Sequence, residues 1–439
     1  MMRWPKDIEV ILPESFPDAP ERDPRRDFGG VVRGAPIAVL RPADVDGLAR
    51  TLRFLAEEKQ PYRLRGAGFG AGGQVVADGG VVVDLTRLDR IIDVGAGEIT
   101  VEGGATWLAV GDRLREIGRR PLILAENLAM TVGGTLAVGG LGDTSAVHGP
   151  TVSQVLRLTL VTPDGQIRKL GPGDKLFRFA LGAAGTLGAI AEVTLRTVAR
   201  PATLVSRTLA WVNIDEFAAE APACSEQRLY EFFQGTLSWT PDGATRVHVV
   251  AGNFAAAATP GEPGLWELKP NGVGAPETAD RYASLRALRV GWDLYRPALQ
   301  LIAPTAFAGE VLKQLNQMIL AEPGLRASLP RVGLLPFTTD ERFPVATQPA
   351  SPVALAILLR PQVAERGSID ELLPLLRTIA SRALDGGVKI GLTSIDLGLP
   401  DFAERQLGPV LGELRGVRAE IDPLGLCNRG VIAGLDHDG

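Results

Sequence analysis

The chain has 439 residues, 45% of them hydrophobic and 22% charged, and a formal net charge of −5. Because one compact core rarely grows beyond about 250–300 residues, this length predicts two domains. The acidic balance argues against nucleic-acid binding, and no apolar run approaches the roughly 20 residues of a membrane helix. The N-terminus lacks the apolar core of a secretory signal, so we expect a cytoplasmic protein.

Cysteine and histidine are rare in this sequence. Cys224 and Cys427 cannot make a disulfide framework, and three histidines without a neighbouring cysteine predict no zinc site. We therefore expect neither structural disulfides nor a bound metal.

The first 200 residues alternate short strands with helices, after an N-terminal arm of about 30 residues that reads as irregular. Residues 36–60 predict a strand and then a helix that Asp44 caps. A strand over PYRLRGAG leads into a glycine-rich loop. Further strands are predicted over VVVDLTRL, EITVEGG and GAIAEVTLRTV, and helices over ATWLAVGDRLREIG and DKLFRFALG. The stretch VLRLTLVTPDGQIRKL predicts a hairpin around a Pro-Asp-Gly turn.

The pattern changes after about residue 200. Strand-like stretches (TLVSRTLAWV, RVHVVAGNF and VALAILLRP) alternate with two clear helices, 306–322 and 368–386, and 255–277 reads as a loop. This pattern predicts an α+β second domain in which helices back a sheet. Residues 403–434 predict a helix followed by a glycine-containing tail.

The glycine-rich loop contains Gly68, Gly70 and Gly73 in the spacing of a dinucleotide-binding fingerprint. A Rossmann site also needs a helix directly after the glycines, whereas QVVADGGVVVDLT favours a turn and a strand. We therefore favour a glycine turn whose bare N–H groups line a concavity for an anionic diphosphate. A Rossmann-type NAD enzyme is the less favoured alternative.

Four stretches resemble the flavoproteins that have the FAD-binding fold of the vanillyl-alcohol-oxidase type, and among them most closely the cytokinin dehydrogenases. They are residues 26–74, 124–167, 176–198 and 420–430, and TVGGTL within the second is the most specific. The resemblance implies an α+β, two-domain fold. It assigns residues 1–200 to the FAD domain, 201–385 to a substrate-binding cap with an antiparallel sheet backed by helices, and 386–439 to a segment returning to the FAD domain.

The resemblance also implies which residues contact FAD. By position they are Gly66, Ala67, Gly68, Phe69, Gly70, Gln74, Thr131, Gly133, Gly134, Ala137, Leu141, Ile190, Asn428 and Val431. The family usually carries serine and glutamine at the last two positions, so this chain departs from its pattern there.

Phe69 and Gly70 are a second departure, because the family usually has His-Ser at these positions. That histidine forms a covalent bond to the flavin. Phenylalanine cannot form the bond, and no cysteine lies nearby to replace it. We therefore expect FAD to be bound non-covalently.

Glu126 lies where the family has its catalytic aspartate, five residues before the threonine of TVGGTL. The resemblance implies a general base that takes a proton from a substrate N–H or O–H while a hydride leaves the adjacent carbon for flavin N5. Burial beside an apolar ring would raise the pKa of the carboxyl, which suits a base near neutral pH. The alternative is a carboxylate that only caps or solvates a loop.

The resulting prediction is an FAD-dependent oxidoreductase, either an oxidase or a dehydrogenase. Its partners would be a small-molecule substrate with an amine or alcohol, and dioxygen or another electron acceptor. Trp239, Trp292 and Tyr295 are candidates for the substrate pocket, although core positions explain each of them. The rival is a non-redox isomerase, lyase or cyclase in which FAD is structural. The oligomeric state is not indicated by the sequence.

Overall fold

The structure is a computed structural model, and it describes residues 3–199, 203–255, 272–274, 277–288 and 291–436. The strands in these ranges form three sheets, which we number in chain order. Helices accompany each sheet, and this mixture confirms the predicted α+β class. Cys427 is buried and free, while the side chain of Cys224 lies outside the described part.

The first sheet has the order β1-β2-β4-β3, with β1 Glu9–Ile11, β2 Ala38–Arg41, β3 Tyr62–Arg65 and β4 Val81–Asp84. β2, β4 and β3 run parallel, and β1 is antiparallel. Helix α1 (Val45–Glu57) covers the sheet, and Asp44 caps it by accepting a 2.7 Å hydrogen bond from the Gly47 amide, as predicted. The N-terminal arm was predicted to be irregular, which is wrong at β1, where pairing with β2 orders three residues.

The second sheet has the order β5-β6-β10-β8-β9, with β7 paired to β10. Its strands are β5 Ile91–Val94, β6 Glu98–Glu102, β7 Arg119–Pro121, β8 Val155–Val161, β9 Ile167–Leu170 and β10 Ala189–Ala199. The associated helices are α2 Trp107–Glu116, α3 Val132–Ala137, α4 Ser145–His148 and α5 Lys175–Ala180. The hairpin β8–β9 forms as predicted, and Trp107 is fully buried in the core of this unit.

The third sheet has the order β14-β11-β13-β12-β17-β18-β16-β19, with β15 beside β11. Its strands are β11 Thr203–Trp211, β12 Phe232–Trp239, β13 Thr245–Ala255, β14 Gly272–Val273, β15 Glu277–Ala279, β16 Leu299–Pro304, β17 Val332–Thr338, β18 Val353–Leu359 and β19 Lys389–Ile390. The remaining helices are α6 Ile214–Glu226, α7 Arg281–Ala287, α8 Thr305–Ala321, α9 Pro323–Ser328, α10 Gly367–Asp385, α11 Phe402–Leu407 and α12 Val410–Ile421.

The predicted helices at 306–322 and 368–386 are confirmed as α8 and α10. The loop predicted over 255–277 falls mostly outside the described residues. Its described end forms β14 and the start of β15 instead, because both pair with β11.

The two faces of the third sheet have different neighbours. One face packs against α6, α8 and α10 in a core that contains Phe233, Leu237 and Ile357. Since side chains alternate along a strand, their neighbours in sequence point to the opposite face. On that opposite side, Leu335 and Leu358 pack with Leu141 from the first 200 residues. We call this side the inner face.

The chain returns to its N-terminal half after β19. Helix α12 and the following tail contribute Leu411, Leu414 and Ile432 to a cluster with Phe179 and Leu187. The backbone of the tail also pairs with β3, where Cys427 bridges to Tyr62 in parallel. The domain boundaries at 200 and 385 stay predictions.

Candidate cofactor and active site

The glycine-rich loop leaves β3 and reaches β4 without a helix between residues 66 and 80. A Rossmann site binds its diphosphate at a helix N-terminus, so that alternative has no structural basis here. β3 and β4 are neighbouring parallel strands. The loop therefore lies at the edge of the first sheet where parallel strands end, a common place for ligands.

Several backbone N–H groups in this loop have no hydrogen-bond acceptor among the described residues. Among the described residues, no protein acceptor is bonded to the N–H groups of residues 67 to 71. The next two amides do have acceptors, namely the Gln74 side chain for Gly72 and Asp27 for Gly73. A run of unpaired N–H groups is a binding site for an anion, and its chemistry fits the diphosphate of FAD.

The far end of the loop is fixed by the protein. The Gln74 side chain accepts from Gly72 N at 2.9 Å and donates to the carbonyls of Leu392 and Ser394 at 2.7 and 3.1 Å. The carboxylate of Asp27 accepts from Gly73 N at 3.0 Å. Gln74 was predicted to contact the cofactor. In the structure, both the oxygen and the nitrogen of its side-chain amide form hydrogen bonds that hold the loop.

Thr131 lies where the loop meets α3. Its hydroxyl caps α3 by accepting from Gly134 N at 3.3 Å. A Cβ atom at Gly66 would collide with this hydroxyl, and one at Gly134 would lie 2.7 Å from it. A Cβ at Gly133 would lie 2.9 Å from the Gly103 carbonyl. The structure thus brings Gly66, Thr131, Gly133 and Gly134 together, and the first stretch meets the second only because glycine permits such close approach.

A cleft of about 810 Å³ opens beside the loop. Its walls include Gly66, Ala67 and Phe69 from the loop and Asn127 and Leu128 from the segment before Thr131. This volume falls within the roughly 300–1,000 Å³ of typical ligand sites. Together with the free amides, the cleft fits a cofactor of the size and charge of FAD.

Phe69 belongs to an aromatic cluster. Its ring centroid lies 5.3 Å from those of both Phe28 and Trp292, which are 5.0 Å from each other. Trp292 also lines the cleft. Trp239 and Tyr295 lie elsewhere: Trp239 packs on the helix-covered core, and Tyr295 packs with a small apolar cluster. Of the three pocket candidates, only Trp292 is placed at this cleft.

The other predicted contact residues lie around the same region. Ile190, on β10, directs its carbonyl at Gly103 so closely that this position has no room for a side chain, and a Cβ at Gly133 would lie 3.2 Å from the same carbonyl. Ala137 ends α3 and accepts a hydrogen bond from Ala184 N. Leu141 packs under the inner face of the third sheet.

Asn428 and Val431 lie in the tail. The Asn428 side chain accepts from Leu64 N and donates to the Ala184 carbonyl, both at 2.8 Å. Its amide is therefore occupied in joining the tail to β3. Val431 packs beside α12. Asn428 thus holds the tail against β3, the strand that leads into the loop.

Glu126 points towards the inner face of the third sheet. Its Oε1 accepts from Gln234 Nε2 at 3.0 Å and lies 3.4 Å from Nη2 of Arg281. Gln234 is on β12 and Arg281 is the first residue of α7. In the described part of the chain no partner contacts Oε2. One oxygen is thus fixed by two side chains, and the other is available.

Two opposing effects set the pKa of Glu126. Its side chain is 37% accessible, yet the surrounding protein raises its pKa, since burial disfavours the charged form. Arg281, Arg360 and Arg331 favour the carboxylate and lower the pKa, without cancelling the effect of burial. The result is a carboxylate with a raised pKa, held among positive charges.

Sequence reasoning missed four side chains near Glu126, namely Gln234, Arg281, Arg331 and Arg360. They come from four separate parts of the chain after residue 200. Only the strand register and the fold bring them to one place. Alternation in the predicted strand VALAILLRP was the one available signal, since it sets Arg360 on the face opposite its buried neighbour Leu359.

Within the described ranges, no cluster of His, Cys, Asp and Glu side chains could hold a metal ion. The helices described there also lack any stretch with the length and hydropathy needed to cross a bilayer.

Comparison with known proteins finds a family match within the first 200 residues. Residues 36–171 match the family described as the FAD binding domain. An uncharacterized oxidoreductase, ORF5 in the fasciation locus of Rhodococcoides fascians, is 32% identical over 222 residues, which cover 50% of this chain and 51% of that protein. Cytokinin dehydrogenase 8 of Oryza sativa subsp. indica is 34% identical over 207 residues, covering 43% and 38%. The chain thus spans about half or less of the length of these relatives.

Solved structures extend the likeness to the whole fold. A crystal structure of 6-hydroxy-D-nicotine oxidase from Arthrobacter nicotinovorans matches with a TM-score of 0.74 over 98% of both chains, at 20% identity. This identity supports a shared fold and nothing finer. Residues 36–171 therefore match an FAD binding domain, about half of the chain is similar to proteins named as an oxidoreductase and as cytokinin dehydrogenases, and the whole chain shares its fold with that oxidase.

Proposed function

We propose that the chain is an FAD-dependent oxidase or dehydrogenase acting on a C–H bond next to an amine or alcohol of a small organic substrate. The observation that carries the proposal is Glu126, a carboxylate of raised pKa with one unoccupied oxygen beside the cofactor cleft. FAD, when bound, supplies at N5 the acceptor for the substrate hydride. Relatives named as oxidoreductases and dehydrogenases support this reaction class.

Glu126 serves as the general base in this proposal. Gln234 and Arg281 hold Oε1, which directs Oε2 towards the substrate N–H or O–H. The raised pKa makes the carboxylate a stronger base than a solvated glutamate, while the nearby arginines favour its ionised form.

The cofactor-binding part of the proposal rests on the loop. The amides of residues 67 to 71 bind the diphosphate, and the glycines around Thr131 let the cofactor approach the backbone. Phe69 lines the same cleft and, as a phenylalanine, could not form a bond to FAD. Electrons leave the protein to dioxygen or to another small-molecule acceptor.

Anaerobic mixing with a panel of amines and alcohols tests the proposal. A substrate should bleach the visible absorption of the bound flavin, and admitting the acceptor should restore it. Turnover with the flavin oxidised throughout, including in stopped-flow records, would instead favour the isomerase, lyase or cyclase alternative.

A further inference from the structure

Arg331 and Arg360 lie side by side at one end of two paired strands. Arg331 directly precedes β17, and Arg360 directly follows β18. These strands are antiparallel, with Val332 opposite Leu359. Continuing this register by one residue sets the two arginines opposite each other, where neighbouring side chains on one face lie close together.

Both arginines belong to the inner face. Val332 and Leu359 are fully buried in the helix-covered core, so the next residue on each strand points the other way. The charges of both arginines also act on Glu126, which approaches this face from the first 200 residues. The arginine pair, which is exposed, and Glu126 therefore lie on the same side of the third sheet.

The charges at this place on the inner face are unbalanced. Among the described residues, neither Arg331 nor Arg360 has an ion pair or a side-chain hydrogen bond, and Arg281 already contacts Glu126. The nearby Asp143 is paired with Arg120 at 2.5 Å. Three guanidinium groups thus face one carboxylate. A substrate that covers these guanidinium groups would remove water from them, which is costly unless it brings negative charge of its own.

We propose that the substrate is an organic acid whose carboxylate binds to Arg331 and Arg360 while its oxidisable carbon lies near Glu126. Paired guanidinium groups suit a carboxylate because their N–H donors are planar and match its two oxygens. The inference rests on the proposed function for the reaction, but it concerns binding and can be tested without turnover.

Benzoate serves as the probe, with benzamide as its neutral counterpart of the same shape. Each is titrated into the FAD-loaded protein, and binding is read from heat and from the change in flavin absorption. We expect benzoate to bind about tenfold more tightly than benzamide or better, as a charge-assisted contact allows. Arg331→Gln and Arg360→Gln should each weaken benzoate binding by about tenfold or more and leave benzamide binding unchanged.

Two further variants separate lost charge from lost folding. Arg168→Gln makes the same change at an exposed position on β9, and it should bind benzoate like the wild type. Arg331→Lys and Arg360→Lys keep the charge, so they should bind benzoate better than the glutamine variants.

Several results would overturn the inference. They are equal affinity for benzoate and benzamide, no binding of benzoate, and wild-type benzoate affinity in both glutamine variants. A shifted flavin spectrum with unchanged benzoate affinity would likewise assign the arginines to the cofactor. Failure of every amine and alcohol to bleach the flavin, including those that carry a carboxylate, with benzoate binding as expected, would reject the proposed function and keep the carboxylate-binding site.

Discussion

Glu126 is the residue on which the proposed reaction depends. Replacing it with glutamine keeps the size and an oxygen for Gln234 but removes the base. We expect Glu126→Gln to slow flavin reduction by about 10²-fold or more in anaerobic stopped-flow measurements, at unchanged FAD content. Glu126→Asp keeps a carboxylate and should retain more of the rate. Glu371→Gln, on the exposed side of α10, is the matched control; a rate for Glu126→Gln equal to that of this control would remove Glu126 from the mechanism.

The pH dependence of the rate tests the role of Glu126 in a second way. A base works when deprotonated, so the rate should fall as the pH drops through the pKa of Glu126. Because burial raises that pKa, the fall should begin above the usual glutamate range and should be absent in Glu126→Gln. An acid limb at an ordinary glutamate pKa would mean that solvent reaches this carboxylate freely.

Phe69 is the residue from which we predict non-covalent binding of FAD. A phenyl ring has no nucleophilic atom, and this one packs with Phe28 and Trp292. We expect acid precipitation of the purified protein to leave the yellow chromophore in the supernatant, where its mass should be that of free FAD. A yellow pellet would contradict non-covalent binding.

The loop between β3 and β4 is the element proposed to hold the cofactor, and Gly66 is where it contacts Thr131, the cap of α3. A methyl group there would collide with the Thr131 hydroxyl. Gly66→Ala should therefore displace the loop from α3 and lower the FAD content after purification, measured by the ratio of flavin to protein absorbance. Gly97→Ala adds the same methyl group in open space and is the control. Equal FAD content in the two variants would show that the loop does not need this contact.

Local sequence signals predicted an element correctly where its periodic pattern came with a cap or a turn motif. The Asp44 cap with its apolar spacing located α1, and the Pro-Asp-Gly turn located the hairpin β8–β9. The sequence prediction missed α6, whose residues Ala218 and Ala221 pack on the third sheet, because alanines give a weak amphipathic pattern. It also missed β1, which is ordered only by its pairing with β2.

The candidate site was predictable only in part for the same physical reason. Gly66, Thr131 and Glu126 lie in two local stretches whose glycines and spacing carry a recognisable pattern. Gln234, Arg281 and Arg360 approach Glu126 from separate elements of the third sheet and α7. Their meeting depends on strand register and on how two units pack, and no local pattern encodes either.

At the scale of the whole molecule, Asn428 joins the tail that follows α12 to β3 of the first sheet. Its side chain donates to the Ala184 carbonyl and accepts from the Leu64 amide, both at 2.8 Å. Its backbone amide donates to the Tyr62 carbonyl. Its φ of 48° lies in the left-handed region, where asparagine and glycine are favoured over alanine. The tail thus extends the first sheet beside β3, immediately before the cofactor loop.

Two substitutions at this position separate its hydrogen bonds from its backbone conformation. Asn428→Gly keeps the left-handed conformation but loses two buried hydrogen bonds, which should lower the free energy of unfolding by about 2 kcal/mol. Asn428→Ala should lose about 1 kcal/mol more, since alanine is strained there. Both should release FAD more readily, because β3 leads directly into the loop. Denaturation and FAD-release assays measure these effects, and wild-type FAD retention in both variants would show that the loop is held without the tail.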